Sequence, residues 1–153
     1  TVLNSLNLSS ADISSTSSKV SVLDITADKR ISLSSVSGSV DAGDLASNGV
    51  IELSSTSGNV EVLSLQAPRI TAKSVSGSVS TLLRLPSPSD VTLSSTSGRV
   101  EADLLGADDF SIDAKTTNGS IMIGGEQRST LTKGDGSSKI ALRTISGSIS
   151  VNL

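Results

Sequence analysis

The sequence predicts an all-β fold: a single-stranded parallel β-solenoid, a right-handed β-helix of about seven coils with roughly 20 residues each. Three observations carry this. A Ser-Gly phrase returns about every twenty residues, the period of a solenoid, propeller or array. Apolar residues flank the phrase in pairs spaced by two, as on strands with one buried face. Each apolar column then holds the same kind of residue in copy after copy. Stacked parallel strands need that identity; a meander of hairpins does not.

The copies align on Gly38, Gly58, Gly77, Gly98, Gly119 and Gly147, with Ser18 in the same slot of the first. The first coil places Ala11 and Ile13 before the anchor, and Val20 and Val22 after it. The second has Ile31 and Leu33, then Val40 and Ala42. The third has Ile51 and Leu53, then Val60 and Val62. The fourth has Ile70 and Ala72, then Val79 and Thr81. The fifth has Val91 and Leu93, then Val100 and Ala102. The sixth has Ile112 and Ala114, then Ile121 and Ile123. The seventh has Ile140 and Leu142, then Ile149 and Val151. A further apolar position follows seven after the anchor, at Ile25, Leu45, Leu65 and Leu105. Each copy is therefore strand, Gly corner, strand and polar loop, and the loops ("TADKR", "ASNGV", "QAPR", "PSPSD") are rich in turn residues.

One copy alone buries little, whereas the stack buries a continuous column of Val, Ile and Leu. The whole chain, 1–153, reads as one solenoid domain, a rod roughly 30–35 Å long at about 4.8 Å per coil. The rhythm breaks once, at an insertion over 124–139, "GGEQRSTLTKGDGSSK". A loop of this length is functional or a cover. It holds Glu126, Arg128, Lys133 and Asp135, and the alternation of "STLT" fits a short strand. Two roles follow: a binding loop, or a flap over the final coil with Leu131 tucked against the core.

The phrase itself reads as a corner. A hydroxyl stands three before every anchor: Ser15, Ser35, Ser55, Ser74, Ser95, Thr116 and Thr144. Stacked, these form a ladder in which each hydroxyl donates to one neighbouring coil and accepts from the other. The anchor Gly supplies a positive φ at the bend. The six glycines are thus structural turn residues.

Composition narrows the function classes. The chain has no Cys, His, Trp or Tyr, one Phe (Phe110), and a formal charge of -3. Mixed charge gives no basic footprint for nucleic acid, and no apolar run is long enough to span a bilayer. A Ser-rich chain often means a disordered linker, but here the apolar residues are strictly placed. "TVLNSLNLSS" lacks the features of a signal peptide and reads as the start of a fragment or of a mature domain. Bare solenoid ends expose strand edges, so the parent chain is expected to continue, or another element or protomer to cover an end, with end-to-end or edge-mediated self-association as one route.

The pattern "KIALRTISGSISV", following the Gly-rich insertion, resembles the adhesin-like domains of unknown function whose repeated "t-v-S-G-x-I" motifs build a single-stranded β-helix. The resemblance runs from about Ala11 to Leu153, and the Ser-rich surface points to a fungal version. It implies an extracellular or cell-surface solenoid with an adhesive, interaction or scaffold role and an unassigned protein or glycan ligand. It brings no catalytic residues to carry over, so no enzymatic activity, cofactor or metal is expected, and the charge and apolar runs already argue against a nucleic-acid partner or membrane insertion by this segment. This chain departs from the family where Asp often follows the Gly, having Ser39, Asn59, Ser78, Arg99 and Ser120.

The residues support the same ranking. A Ser-Lys pair is formally available at Lys73–Ser74 and Lys115–Thr116, but sequence neighbours on a strand point to opposite faces. Asp108 with Asp109, and Asp41 with Asp44, are paired carboxylates without the aromatic platform a glycan-active β-helix enzyme uses. Such an enzyme or its accessory domain, and an ice-binding solenoid, are the alternative classes; charges at Lys73, Lys115 and Arg143 interrupt the flat Ser column the latter needs. Asp41 and Glu61 fall on adjacent coils, where stacked carboxylates require a cation or a basic side chain nearby. Arg99 or a lysine fits that need. Asn7 and Asn118 head short glycosylation-type motifs.

Overall fold

The structure, a computed structural model, describes residues 2–3, 6–86, 88–106 and 108–153. Its strands form one continuous sheet coiled into a solenoid, and almost every pairing is parallel. The face before the Gly corner carries β2 (Leu6–Ser15), the second half of β3 (Val20–Ser35), β5 (Val50–Ser55), β7 (Arg69–Ser74), β9 (Asp90–Ser95), β11 (Phe110–Asn118), β13 (Thr130–Lys133) and β14 (Ser138–Ser146). The face after it carries β1 (Val2–Leu3), the first half of β3, β4 (Val40–Ser47), β6 (Val60–Gln66), β8 (Val79–Leu83), β10 (Val100–Leu104), β12 (Ile121–Ile123) and β15 (Ile149–Asn152).

The registers join the columns read from the sequence: Val40 lies on Val60 and Ala42 on Val62, while Ile51 lies on Ile70 and Leu53 on Ala72. The inward side chains form one core between the two faces. The further apolar column differs at its upper coils. Ile25, Leu45 and Leu65 are buried, but the slot is then filled by Leu83 and Leu104, while Leu105 lies half exposed. A register shift between β6 and β8 shortens the coil by one residue there, so the inward position falls six after the anchor.

The coils do not rise in chain order. β14 pairs with β9 on one side and β11 on the other, and β15 lies between β10 and β12. The last coil in sequence is therefore slotted between the fifth and the sixth. Between β10 and β11 the chain passes over a level that its last coil later fills. The return crosses the outgoing strand at Asp108 and Asp109. Lys133 Nζ bonds Asp108 Oδ1 at 3.1 Å, the Asp135 N–H donates to Asp109 Oδ1 at 3.0 Å, and Gly134 adopts φ +63 there. The paired carboxylates of this segment are the fastening of that crossing.

The insertion is shorter than expected, 124–137, because Ser138 and Lys139 already belong to β14. It turns at Gly124 and Gly125, both with positive φ, and runs back as β13 antiparallel to β11, with Leu131 opposite Ile112 and packed on the core. It is a cover. The strand it covers belongs to the sixth coil, the outermost in space, and not to the final coil in sequence, whose two faces are both paired.

Candidate functional site

The corners must be understood before the surfaces they position. None of the six anchor glycines has a positive φ, contrary to the expectation from the phrase. Glycine is required because the corners stack backbone on backbone. A Cβ on Gly58 would stand 2.5 Å from the carbonyl carbon of Gly38, and one on Gly119 would stand 1.9 Å from the Gly147 oxygen. Among the described residues no corner lies beneath Ser18, which therefore tolerates a side chain.

The hydroxyl ladder also differs in detail. Ser55 Oγ accepts from the Gly58 N–H of its own coil and donates to the Gly38 carbonyl of the coil below, both at 2.9 Å. Ser35 and Ser74 repeat the arrangement. Each hydroxyl thus closes its own turn and ties it to one neighbour, instead of bridging two neighbours. Thr144 donates to the Gly98 carbonyl and Thr116 to that of Gly147, each at 3.0 Å, which follows the interleaved order of the last coils. The corner serines are held in backbone bonds, and Lys73 points outward while Ser74 points in.

What varies from coil to coil is the outward side chains, and these segregate by charge. On the post-corner face Asp41 lies beside Glu61 in register and Asp24 beside Asp44, with Glu101 and Asp103 further along. Lys19 Nζ pairs with Asp41. That hydrogen bond and charge, with Glu61 adding its field, raise the Lys19 pKa above the ordinary lysine value. The cation beside the stacked carboxylates is thus Lys19, not Arg99. Between exposed Leu23 and Leu63 the chain has Gly43, leaving a notch of about 290 Å³ rimmed by Asp41 and Glu61.

The insertion residues do not converge on one point. Arg128 pairs with Glu126 at 2.7 Å, and Lys133 is engaged by Asp108. Asp135 contributes its backbone N–H to the crossing. Arg128 and Lys133 do rim a cavity of about 420 Å³, floored by Leu104, Phe110, Leu131 and Leu153. The insertion and the Asp41–Glu61 notch lie on different coils, so the predicted binding residues make two separate places. A third place lies on the column whose charges the sequence shows at Lys73, Lys115 and Arg143. Because the last coil is slotted in, that column runs Lys73, Ser94, Arg143, Lys115 in space, and Arg143 reaches Ser94 only through that order.

With the coil geometry in hand, comparison with known families gives a definite result: the Toastrack DUF4097 model matches residues 2–152. The chain belongs to the Toastrack family. No curated protein and no solved structure matches it. The Toastrack domain here is a β-solenoid in which the corner and the core are what recurs from coil to coil.

Proposed function

We propose that this Toastrack domain is a non-enzymatic adhesion or interaction module, a rigid rod that recognises a partner through its outward faces. The observation that carries the reading is the notch on the acidic face. Leu23 and Leu63 are 59% and 68% exposed, flank a glycine, and stand over Asp41 and Glu61. Large apolar side chains held in water beside two stacked acids that share one lysine fit a partner that buries them. The partner chemistry this favours is an extended protein segment presenting a basic side chain next to an aliphatic one. The aliphatic group enters the gap over Gly43, and the cation meets Glu61 and Asp44.

The test is a synthetic peptide array of basic–aliphatic sequences, probed with the domain and with a Leu23→Ser/Leu63→Ser variant at low and high salt. Binding by the parent domain, weakened by salt and reduced about tenfold or more in the variant, supports the reading. Binding that ignores both substitutions places recognition elsewhere. Turnover of any arrayed or soluble substrate overturns the non-enzymatic assignment.

A further inference from the structure

The interleaved coil sets the order of a charged column along one edge of the solenoid. A groove of about 470 Å³ runs along the corner edge of the pre-corner face. Across it, in spatial order, stand Lys73, Ser94, Arg143 and Lys115, one per coil at about 4.8 Å per step. Lys115 is held by Asp113 at 3.2 Å. Among the described residues Lys73 and Arg143 have no acidic partner within ion-pair distance, and both are exposed. In the lower coils the same column is uncharged, with Ser14, Ser34 and Ser54. The cations are therefore concentrated on one end of one edge, in a chain whose net charge is negative. Along their corner side Val75, Thr96, Ile145 and Thr117 follow in the same spatial order, aliphatic and hydroxyl alternating.

We propose that this groove binds a linear acidic polysaccharide, a chain of sugars bearing carboxylate or sulfate groups. Three features select that class. The cations lie in a row along the rod axis, so they match a repeating anion on an extended polymer and not a single compact ion. Ser94 among the cations and Thr96 and Thr117 beside them carry hydroxyls, which exchange hydrogen bonds with sugar hydroxyls. The groove has no aromatic side chain on which a nucleobase could stack, which is where single-stranded nucleic acid draws much of its affinity. The interleaved order sets the spacing of the row: Arg143 lies beside Ser94, two steps from Lys73, where stacking in chain order would put it beyond Lys115. The proposal rests on the non-enzymatic reading only in that the polymer is held and not cleaved.

The experiment measures binding of the domain to heparin (a polysulfate) and to polygalacturonate (a polycarboxylate). Neutral dextran and single-stranded poly(dT) serve as counter-probes, and product analysis checks the polymers for cleavage. The variant is Lys73→Ser/Arg143→Ser, which installs the residue that other coils carry in the same column; its melting curve is checked against the parent. The control is Lys29→Ser/Arg84→Ser, which removes equal charge on the loop side, away from the corner. Binding to at least one acidic polysaccharide, absent with dextran, lost about tenfold or more in the groove variant and retained in the control, is the expected result. Preference for the sulfated or the carboxylated polymer identifies the anion. No binding to either polymer, equal loss in the control, or tighter binding to poly(dT) overturns the proposal. Cleavage of a bound polymer leaves the site standing and defeats the non-enzymatic reading. Peptide binding at the notch without polysaccharide binding does the reverse.

Discussion

A corner glycine in this chain is defined by the atom beneath it. Gly58 has ordinary backbone angles, so the cost of Gly58→Ala comes wholly from pushing a methyl group into the Gly38 peptide. We expect a loss of about 3 kcal/mol, the upper range of overpacking. Ser18→Ala, in the equivalent slot, should change stability by less than about 0.5 kcal/mol. Chemical denaturation of the two variants reads the difference; equally small effects would show that the stacked backbone does not select glycine. Thr81 is the opposite case. Its Oγ1 is buried in the apolar column without a hydrogen-bond partner. Thr81→Val keeps the shape and removes the orphaned hydroxyl, so stability should rise by about 1–2 kcal/mol in the same assay. Lys19 gives a pH signature. Its pKa is raised in the folded state, so the Lys19–Asp41 contribution is complete below the unfolded lysine value and is lost as pH climbs through the folded one. NMR titration of Lys19 should show its midpoint fall in Asp41→Asn, and alkaline destabilisation of the parent should shrink accordingly.

Among the elements, β14 departs furthest from what its place in the chain implies. Terminal coils of a solenoid fray, because each repeat depends on its neighbours. β14 is the penultimate strand in sequence yet has β9 on one side and β11 on the other, and Leu142 is fully buried over Leu93. Leu142→Ala should therefore cost about 2–4 kcal/mol, as a central-coil truncation does. Amide exchange at Leu142 should be as slow as at Leu93. Fast exchange confined to β14 would contradict the interleaving. The insertion belongs to this scale too. Its apolar contact and short strand were visible as "STLT" and Leu131, and both do cover an edge. Its charges looked like a binding set because Glu126, Arg128, Lys133 and Asp135 are close in sequence. In the fold Glu126 pairs with Arg128 at the turn, Lys133 pairs with Asp108 at the chain crossing, and Asp135 gives its backbone N–H there.

For the whole molecule, the order of the coils is the property most open to direct test. In the interleaved order Ser94 and Arg143 are direct cross-strand partners, whereas Ser94 and Lys115 are two strands apart, about 9.6 Å. A disulfide needs Cα atoms within about 7 Å. The pair Ser94→Cys/Arg143→Cys should oxidise readily and Ser94→Cys/Lys115→Cys should not; stacking in chain order predicts the reverse, and non-reducing electrophoresis separates them. The sequence by itself determined the solenoid, its period, its two buried columns and the corner hydroxyls, because these depend on residue type at fixed local offsets and every coil states them again. It could not determine which coil lies on which. Val, Ile and Leu columns are nearly interchangeable between coils, so stacking Leu93 on Leu142 or on Ala114 satisfies the same pattern. Only the tertiary structure decides, through the Asp108–Asp109 crossing and the β13 cover that direct the last coil into the gap. The order of the surface follows: Arg143 stands between Ser94 and Lys115 in the groove, and not beyond Lys115, because backbone topology sets which outward side chains are neighbours.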